Sequence, residues 1–258
     1  MYPYSQRLAE LLPQQAETIR PHLLDNGQTV WVRRVGKTVP QWRYRLLGFV
    51  SRLFGLGALM PVPNLGGQGA LDTEAGRLRL LASQNIPVPI LLAEQSGGIM
   101  YSHLGNVNLQ SELELGGKPL QTWCDGWDAV AAAHRSGGYL SQAFCRNMIR
   151  MDDGRIGFID FEDDPAAFLP PEACRSRDFL CYLQSTAVWL KHRQCLSEAA
   201  PLLRDRLLAL PPDVAAGVCR ALEKIRLLRH FRASFWGNDT LRLSALAELY
   251  DQSLCSDV

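Results

Sequence analysis

The sequence predicts an α+β fold in which a small mixed half precedes a larger helical one. Three observations predict it: strand-like runs and one helical run share the first hundred residues, helical periodicity dominates from about residue 119 onward, and a lone hairpin at 142–161 interrupts the helical part.

Length and composition set the bounds. At 258 residues, with 47% hydrophobic and 21% charged residues, the chain can bury a core as one two-part domain or two small ones. A formal net charge of +1 provides no broad basic field, so nucleic acid is not an expected partner. Seven cysteines without a C-x-x-C pair read as reduced core thiols, which predicts a cytoplasmic protein. The opening MYPYSQRLAELLPQQ lacks the basic-then-apolar pattern of a signal segment. No window reaches 18 apolar residues, so no membrane-spanning helix is expected.

An amphipathic helix is predicted over 5–20, ending before Pro21. Asn26-Gly27 signals a turn, and Gln28–Val35 reads as a β-rich strand closing at Gly36. A second helical pattern covers 41–56. Trp42, Leu46, Phe49, Val50, Leu53 and Leu56 share its apolar face, and Gln41, Arg45 and Arg52 its polar one. Such a helix either packs on the small half or lies in a bilayer interface, which gives the alternative of a peripheral protein at the inner membrane face.

Pro61, Pro63 and Gly66-Gly67-Gln68-Gly69 predict a loop, either a phosphate-binding nest or a plain connector. Asp72 or Thr73 then caps a helix through Gln84, with Leu78, Leu81 and Ala82 on one face. Residues 86–93 and 98–104 suggest two strands around Ser96-Gly97, and 119–134 a helix. Beyond Pro170-Pro171 the pattern predicts helices near 176–192, 196–210, 212–234 and 239–254, with Arg226, Arg229 and Arg232 as a solvated or carboxylate-paired face.

The hairpin carries the chemistry. Arg146–Arg150 and Arg155–Glu162 flank an Asp153-Gly154 turn, which places Asn147 beside the first strand and Asp160 at the end of the second. An amide oxygen and a carboxylate meeting at one point suit a hard cation such as Mg²⁺. An ordinary hairpin is the plain alternative.

With its thirteen-residue spacing from Asn147 to Asp160 and the run Gly157–Pro165, the chain resembles a divergent member of the protein-kinase-like superfamily. The likeness is greatest to the bacterial lipopolysaccharide-core (Kdo and heptose) kinases, the Bud32/RIO type and the aminoglycoside phosphotransferases. It implies a two-lobed fold, with a mixed N-lobe over 1–104 and a mainly helical C-lobe over 105–258, and an inserted amphipathic helix near 40–56. It also implies ATP with Mg²⁺ or Mn²⁺ as cofactors and a hydroxyl-bearing acceptor as the partner, such as a sugar, lipid-linked or small molecule.

By the same resemblance Asn147 and Asp160 hold the metal. Arg33 stands where the phosphate-contacting lysine is expected, and Glu74, in the first turn of its helix, is the glutamate that pairs with it. Residues 99–105 occupy the place of the adenine-binding hinge. Asp178 matches the buried aspartate that ties the catalytic loop to the helical lobe, or else is a plain helix N-terminal Asp.

Two departures stand out. The catalytic-base position five residues before Asn147 is Gln142, which cannot accept a proton usefully, and no G-x-G-x-x-G precedes the Arg33 strand. Glu162-Asp163-Asp164 offers a substitute carboxylate, a second metal ligand or a capping loop. The expectation is therefore a phosphotransferase, with a catalytically impaired pseudokinase regulator as the alternative.

Overall fold

The computed structural model describes residues 2–36, 66–230 and 238–255. The helix expected at 41–56, together with Arg232, lies outside them. Among the described residues the fold is mixed α and β, and no helix is long and apolar enough to cross a membrane.

A four-stranded antiparallel sheet has the order β1 (Ile19–Leu23), β2 (Thr29–Arg34), β4 (Gly98–Ser102), β3 (Leu91–Gln95). The helix predicted over 5–20 is corrected here. Helix α1 spans only Tyr4–Leu11, a 3₁₀ turn with Pro13 follows, and Ile19–Leu23 is a strand. Pro13 and Pro21 explain the error. Proline interrupts a helical ladder, yet Pro21 is tolerated in β1 because that strand is at the sheet edge. The Asn26-Gly27 turn joins β1 to β2, with Gly27 at φ +80°. Pro87 and Pro89 likewise delay the expected strand at 86–93 until Leu91.

Alternation on β2 assigns its two faces. Val30 and Val32 are fully buried with Leu8, Leu24, Ala93 and Met100, against α1. Trp31 and Arg33 point the other way, opposite Tyr101 and Ile99 on β4. Helix α2 (Gly67–Ser83) covers that second face through Leu71, Ala75, Leu78 and Leu81. It begins five residues before the expected cap, so the Gly-rich run is its first turn rather than a loop. Ala82, expected on the buried face, is exposed, because the i, i+3/i+4 stripe from Leu71 passes through Leu78 and Leu81 instead.

A three-stranded sheet of β5 (Val107–Asn108), β6 (Met148–Arg150) and β7 (Ile156–Phe158) contains the expected hairpin. Strand β5 and helix α3 (Leu109–Leu115) have no counterpart in the sequence reading; both are too short to establish a period. Helix α4 (Pro119–Arg135) then leads to the hairpin, and α5 (Pro171–His192) runs through the helical part.

Helices α3, α4, α6 (Leu196–Leu208), α7 (Pro212–Ile225) and α8 (Asn238–Leu254) all pack on α5. Surrounded in this way, α5 is buried on most sides. Arg226 and Arg229 pair with Asp251 at 2.7 and 3.4 Å, as a carboxylate-paired face requires. Of the seven cysteines, Cys145, Cys174 and Cys181 are buried and Cys255 is exposed, so the expectation of uniformly core thiols holds only in part.

Gly126 lies at a close approach between α4 and α5. A Cβ there would lie 2.5 Å from the Tyr182 hydroxyl and 2.8 Å from Leu109 Cδ2. The Tyr182 ring is fully buried and its hydroxyl donates to the Trp123 carbonyl, so it has no room to retreat. Alanine improves helix propensity by about 1 kcal/mol, but overpacking a rigid core costs about 1–3 kcal/mol. Gly126→Ala should therefore lower the urea midpoint; a raised midpoint would mean that the ring yields easily.

Candidate functional site

The four residues that sequence reasoning singled out for phosphate and metal converge on one cavity of about 330 Å³. Arg33 comes from β2 and Glu74 from α2, while Asn147 and Asp160 flank the β6–β7 hairpin. The walls between them are Trp31, Tyr101, Ile149 and Ile159, and the segment Ser102–Gly105 borders one side.

Glu74 reaches Arg33 because it shares the α2 stripe that packs on the sheet, one turn beyond Leu71. Arg33 Nη1 lies 3.0 Å from Glu74 Oε2, and Glu74 is only 2% exposed. Glu74 is thus in the interior of α2, not in its first turn, and it is not a solvated carboxylate. The second guanidinium nitrogen, Nη2, pairs with Glu162 Oε1. Arg33 is therefore held by two carboxylates from two separate elements, a geometry suited to the planar fork of arginine.

Hydrogen bonds hold the metal-type pair. The Ile159 N–H donates to the Asn147 carbonyl at 3.0 Å, which closes the hairpin and sets Asn147 opposite Asp160. Asn147 Nδ2 donates to Asp160 Oδ2 at 3.1 Å and to the Gln142 carbonyl at 3.2 Å. With Nδ2 used in this way, the side-chain oxygen is what Asn147 can offer a cation. Asp160 itself has φ +73°, a left-handed conformation that non-glycine residues adopt at an energetic cost.

Ser141, just before the base position, also has φ +73°. Its hydroxyl donates to Asp163, and Gln142 Nε2 donates to the same Asp163 oxygen at 3.2 Å. Gln142 is thus turned toward a buried carboxylate and does not line the cavity.

The three acidic residues after Asp160 divide their tasks. Glu162 holds Arg33 and Asp163 holds the 141–142 loop. Asp164 caps the Pro165–Ala167 turn by accepting from the Ala166 N–H at 3.1 Å, and it also accepts from the Tyr139 hydroxyl at 2.6 Å.

Asp178 anchors this loop from below. It is fully buried in the second turn of α5, which excludes its reading as a helix N-terminal Asp. Its Oδ2 accepts from the Leu140 N–H at 2.7 Å and lies 2.9 Å from His134 Nε2. Arg177 Nε donates to the Ser141 carbonyl at 3.3 Å. His134 ends α4 as expected, but its contact with Asp178 was hidden in the sequence by the 44 residues between them.

Sequence reasoning also missed the Trp31–His103 contact. Trp31 Nε1 donates to His103 Nδ1 at 3.0 Å, and His103 Nε2 is 3.1 Å from Asn106 Oδ1. The indole thereby fixes Nδ1 as the acceptor and leaves the ring hydrogen on Nε2. At Gly105 a Cβ would fall 2.6 Å from the Arg150 carbonyl, so the crossing from β4 to β5 requires glycine.

Electrostatics follow from this crowding of carboxylates. Burial pushes the Glu74 carboxyl up to about 7, with Asp160 and Glu162 adding to the effect and Arg33 opposing it. Burial also raises Asp160, helped by Glu162 and opposed by Arg33. Burial works against the Arg33 charge, but Glu74 and Glu162 more than offset it and the guanidinium pKa is raised.

Among the described residues no group of three or more His, Cys, Asp or Glu side chains could hold a metal unaided. Asn147 and Asp160 nonetheless have the right donor chemistry for Mg²⁺, which commonly takes one or two protein oxygens and completes its shell with phosphates and water.

No protein-family model matches the chain, and no curated protein matches it at significant similarity.

A folded-state Glu74 pKa near 7 against 4.5 in the unfolded chain means that the native state binds the extra proton. The stabilisation is complete below pH about 4.5 and is lost as pH rises to about 7, amounting to on the order of 1–3 kcal/mol. Between pH 5 and 7.5 the native protein should lose more stability than Glu74→Gln, measured by urea unfolding. Parallel curves would show that Glu74 titrates normally.

Proposed function

We propose that the protein is a kinase-fold phosphotransferase. In this reading it binds ATP with Mg²⁺ or Mn²⁺ between a small mixed N-lobe (1–104) and a mainly helical C-lobe (105–258), and it transfers phosphate to a hydroxyl on a sugar, lipid-linked or other small acceptor. One observation carries the reading: the Arg33–Glu74 ion pair and the Asn147–Asp160 contact, from three distant stretches of chain, face one cavity.

Arg33 would contact the phosphates, with Glu74 orienting its guanidinium. Asn147 and Asp160 would supply the metal's protein oxygens. A bound cation in this position neutralises charge that develops on the transferring phosphoryl group. The Ser102 and His103 N–H groups already donate to Ile90 and Thr29. Recognition of the base would therefore fall on the carbonyls of this segment and on Leu104 and Gly105, against Trp31 and Tyr101.

Gln142 supports the second reading, a pseudokinase that binds nucleotide and regulates a partner. Its amide is bonded to Asp163, so the base position has neither a carboxylate nor a free side chain. Loss of a general base lowers turnover by about 10²–10⁴-fold. Because phosphoryl transfer depends mainly on positioning and electrostatics, that loss alone does not abolish it.

A thermal-shift titration with Mg²⁺ and ATP tests the shared premise. At about 100-fold over Kd, binding should add roughly 2.7 kcal/mol and raise Tm by about 5–10 °C. Asp160→Ala should remove the shift. A folded native protein that gives no shift contradicts both readings. Slow, metal-dependent ATP hydrolysis by a protein that does bind would favour the enzyme, and its complete absence the regulator.

A further inference from the structure

We propose that Glu162 is a charge latch on Arg33, closed while the site is empty and opened when a polyphosphate arrives with its divalent cation. This inference rests on the phosphate-binding role proposed for Arg33 and goes beyond it by assigning a positioning role to Glu162.

Three observations carry it. First, both terminal nitrogens of Arg33 face carboxylates, Nη1 toward Glu74 and Nη2 toward Glu162. A phosphate that engages the same edge of the fork competes with one of them.

Second, the two partners are not equally movable. The Glu74 side chain is 3% exposed and fixed on the packed face of α2, whereas that of Glu162 is 29% exposed, in the segment after β7, and lines the cavity. Displacing Glu74 would strand a carboxylate in the core. Displacing Glu162 returns one to water or to a cation, which is far less costly.

Third, the charge balance favours a cation-bearing ligand. Arg33 faces Glu74, Asp160 and Glu162 around one cavity, and among the described residues the exposed Arg146 is a further cation whose field reaches Asp160. Even with Glu74 partly protonated near neutral pH, this cluster of carboxylates disfavours a bare polyanion. A divalent ion beside Asp160 reverses the balance and attracts the Glu162 carboxylate away from Arg33. Glu162 thus couples the metal end of the site to the phosphate end through one side chain, and a bare polyphosphate meets a closed latch.

The test uses the full chain, with inorganic tripolyphosphate in excess chelator as the probe and calorimetry as the readout. Glu162→Gln removes the charge but keeps the shape, and it should bind bare tripolyphosphate at least tenfold more tightly than the native protein. Glu162→Ala should show the same gain. In Mg²⁺ the difference between native and Glu162→Gln should shrink.

The gain should vanish in the double variant Arg33→Met with Glu162→Gln, because the released group is Arg33. Thermal melts of each variant identify any that fail to fold. Equal or weaker binding by both folded Glu162 variants overturns the latch, as does a gain that survives in the double variant. Parallel Mg²⁺–ATP binding by the native chain separates the two ideas. Native binding without a Glu162 gain sinks the latch alone, whereas a gain with tripolyphosphate but no native ATP binding sinks the nucleotide reading and leaves the latch standing.

Discussion

Arg33 carries a charge into a largely buried position, and much of the site is arranged around keeping it there. A guanidinium removed from water is tolerable only if its donors meet acceptors of opposite charge. Glu74 meets that need from α2 and Glu162 from the segment after β7. The sheet, the helix packed on it and the hairpin of the helical part are thus joined by one polar cluster as well as by the apolar core. A set of groups that must be paired when the cavity is empty is also a set that a ligand can re-pair, and this connects packing to the proposed function.

The second constraint is the backbone path from Tyr139 to Asn147. Asp178 holds the Leu140 amide, Asp163 holds the Ser141 and Gln142 side chains, and Asn147 returns a hydrogen bond to the Gln142 carbonyl. The left-handed conformation at Ser141 persists because these bonds over-determine it, and at Asp160 the Asn147 amide and the adjoining Ile159 N–H bond do the same. Asp160 lines the cavity and Ser141 is in the loop beside it, where the proposed cation would need a fixed geometry.

The sequence was most legible where a local rule applied. Asn26-Gly27, Asp153-Gly154 and the spacing from Asn147 to Asp160 each describe a turn or hairpin that closes over a short distance, and each is present in the fold. The long helices α4 to α8 were visible from their periodicity, to within a few residues at most ends. Strand β1 was not, because Ile19–Leu23 contains Pro21 and exists by pairing with β2; nothing local announces it.

Within the site, Asn147, Asp160, Arg33 and Glu74 were identified by spacing and resemblance, but Glu162's hold on Arg33 was invisible. So was His134 against Asp178, because a contact across many residues leaves no periodic trace. Glu162, Asp163 and Asp164 looked like one acidic run and proved to be three separate partners. Their partners, Arg33, Ser141 and Tyr139, come from elsewhere in the chain, and no local pattern records them.

The central claim is that Asn147 and Asp160 bind a divalent cation that bridges to phosphates at Arg33. Anomalous diffraction from crystals grown with Mn²⁺ and a non-hydrolysable ATP analogue tests it most directly. The account predicts a manganese peak within a coordination distance of about 2.1 Å of Asn147 Oδ1 and an Asp160 carboxylate oxygen, with phosphate density at Arg33. A bound analogue whose manganese lies elsewhere, or density showing Arg33 still clamped between Glu74 and Glu162 beside a filled cavity, would contradict it.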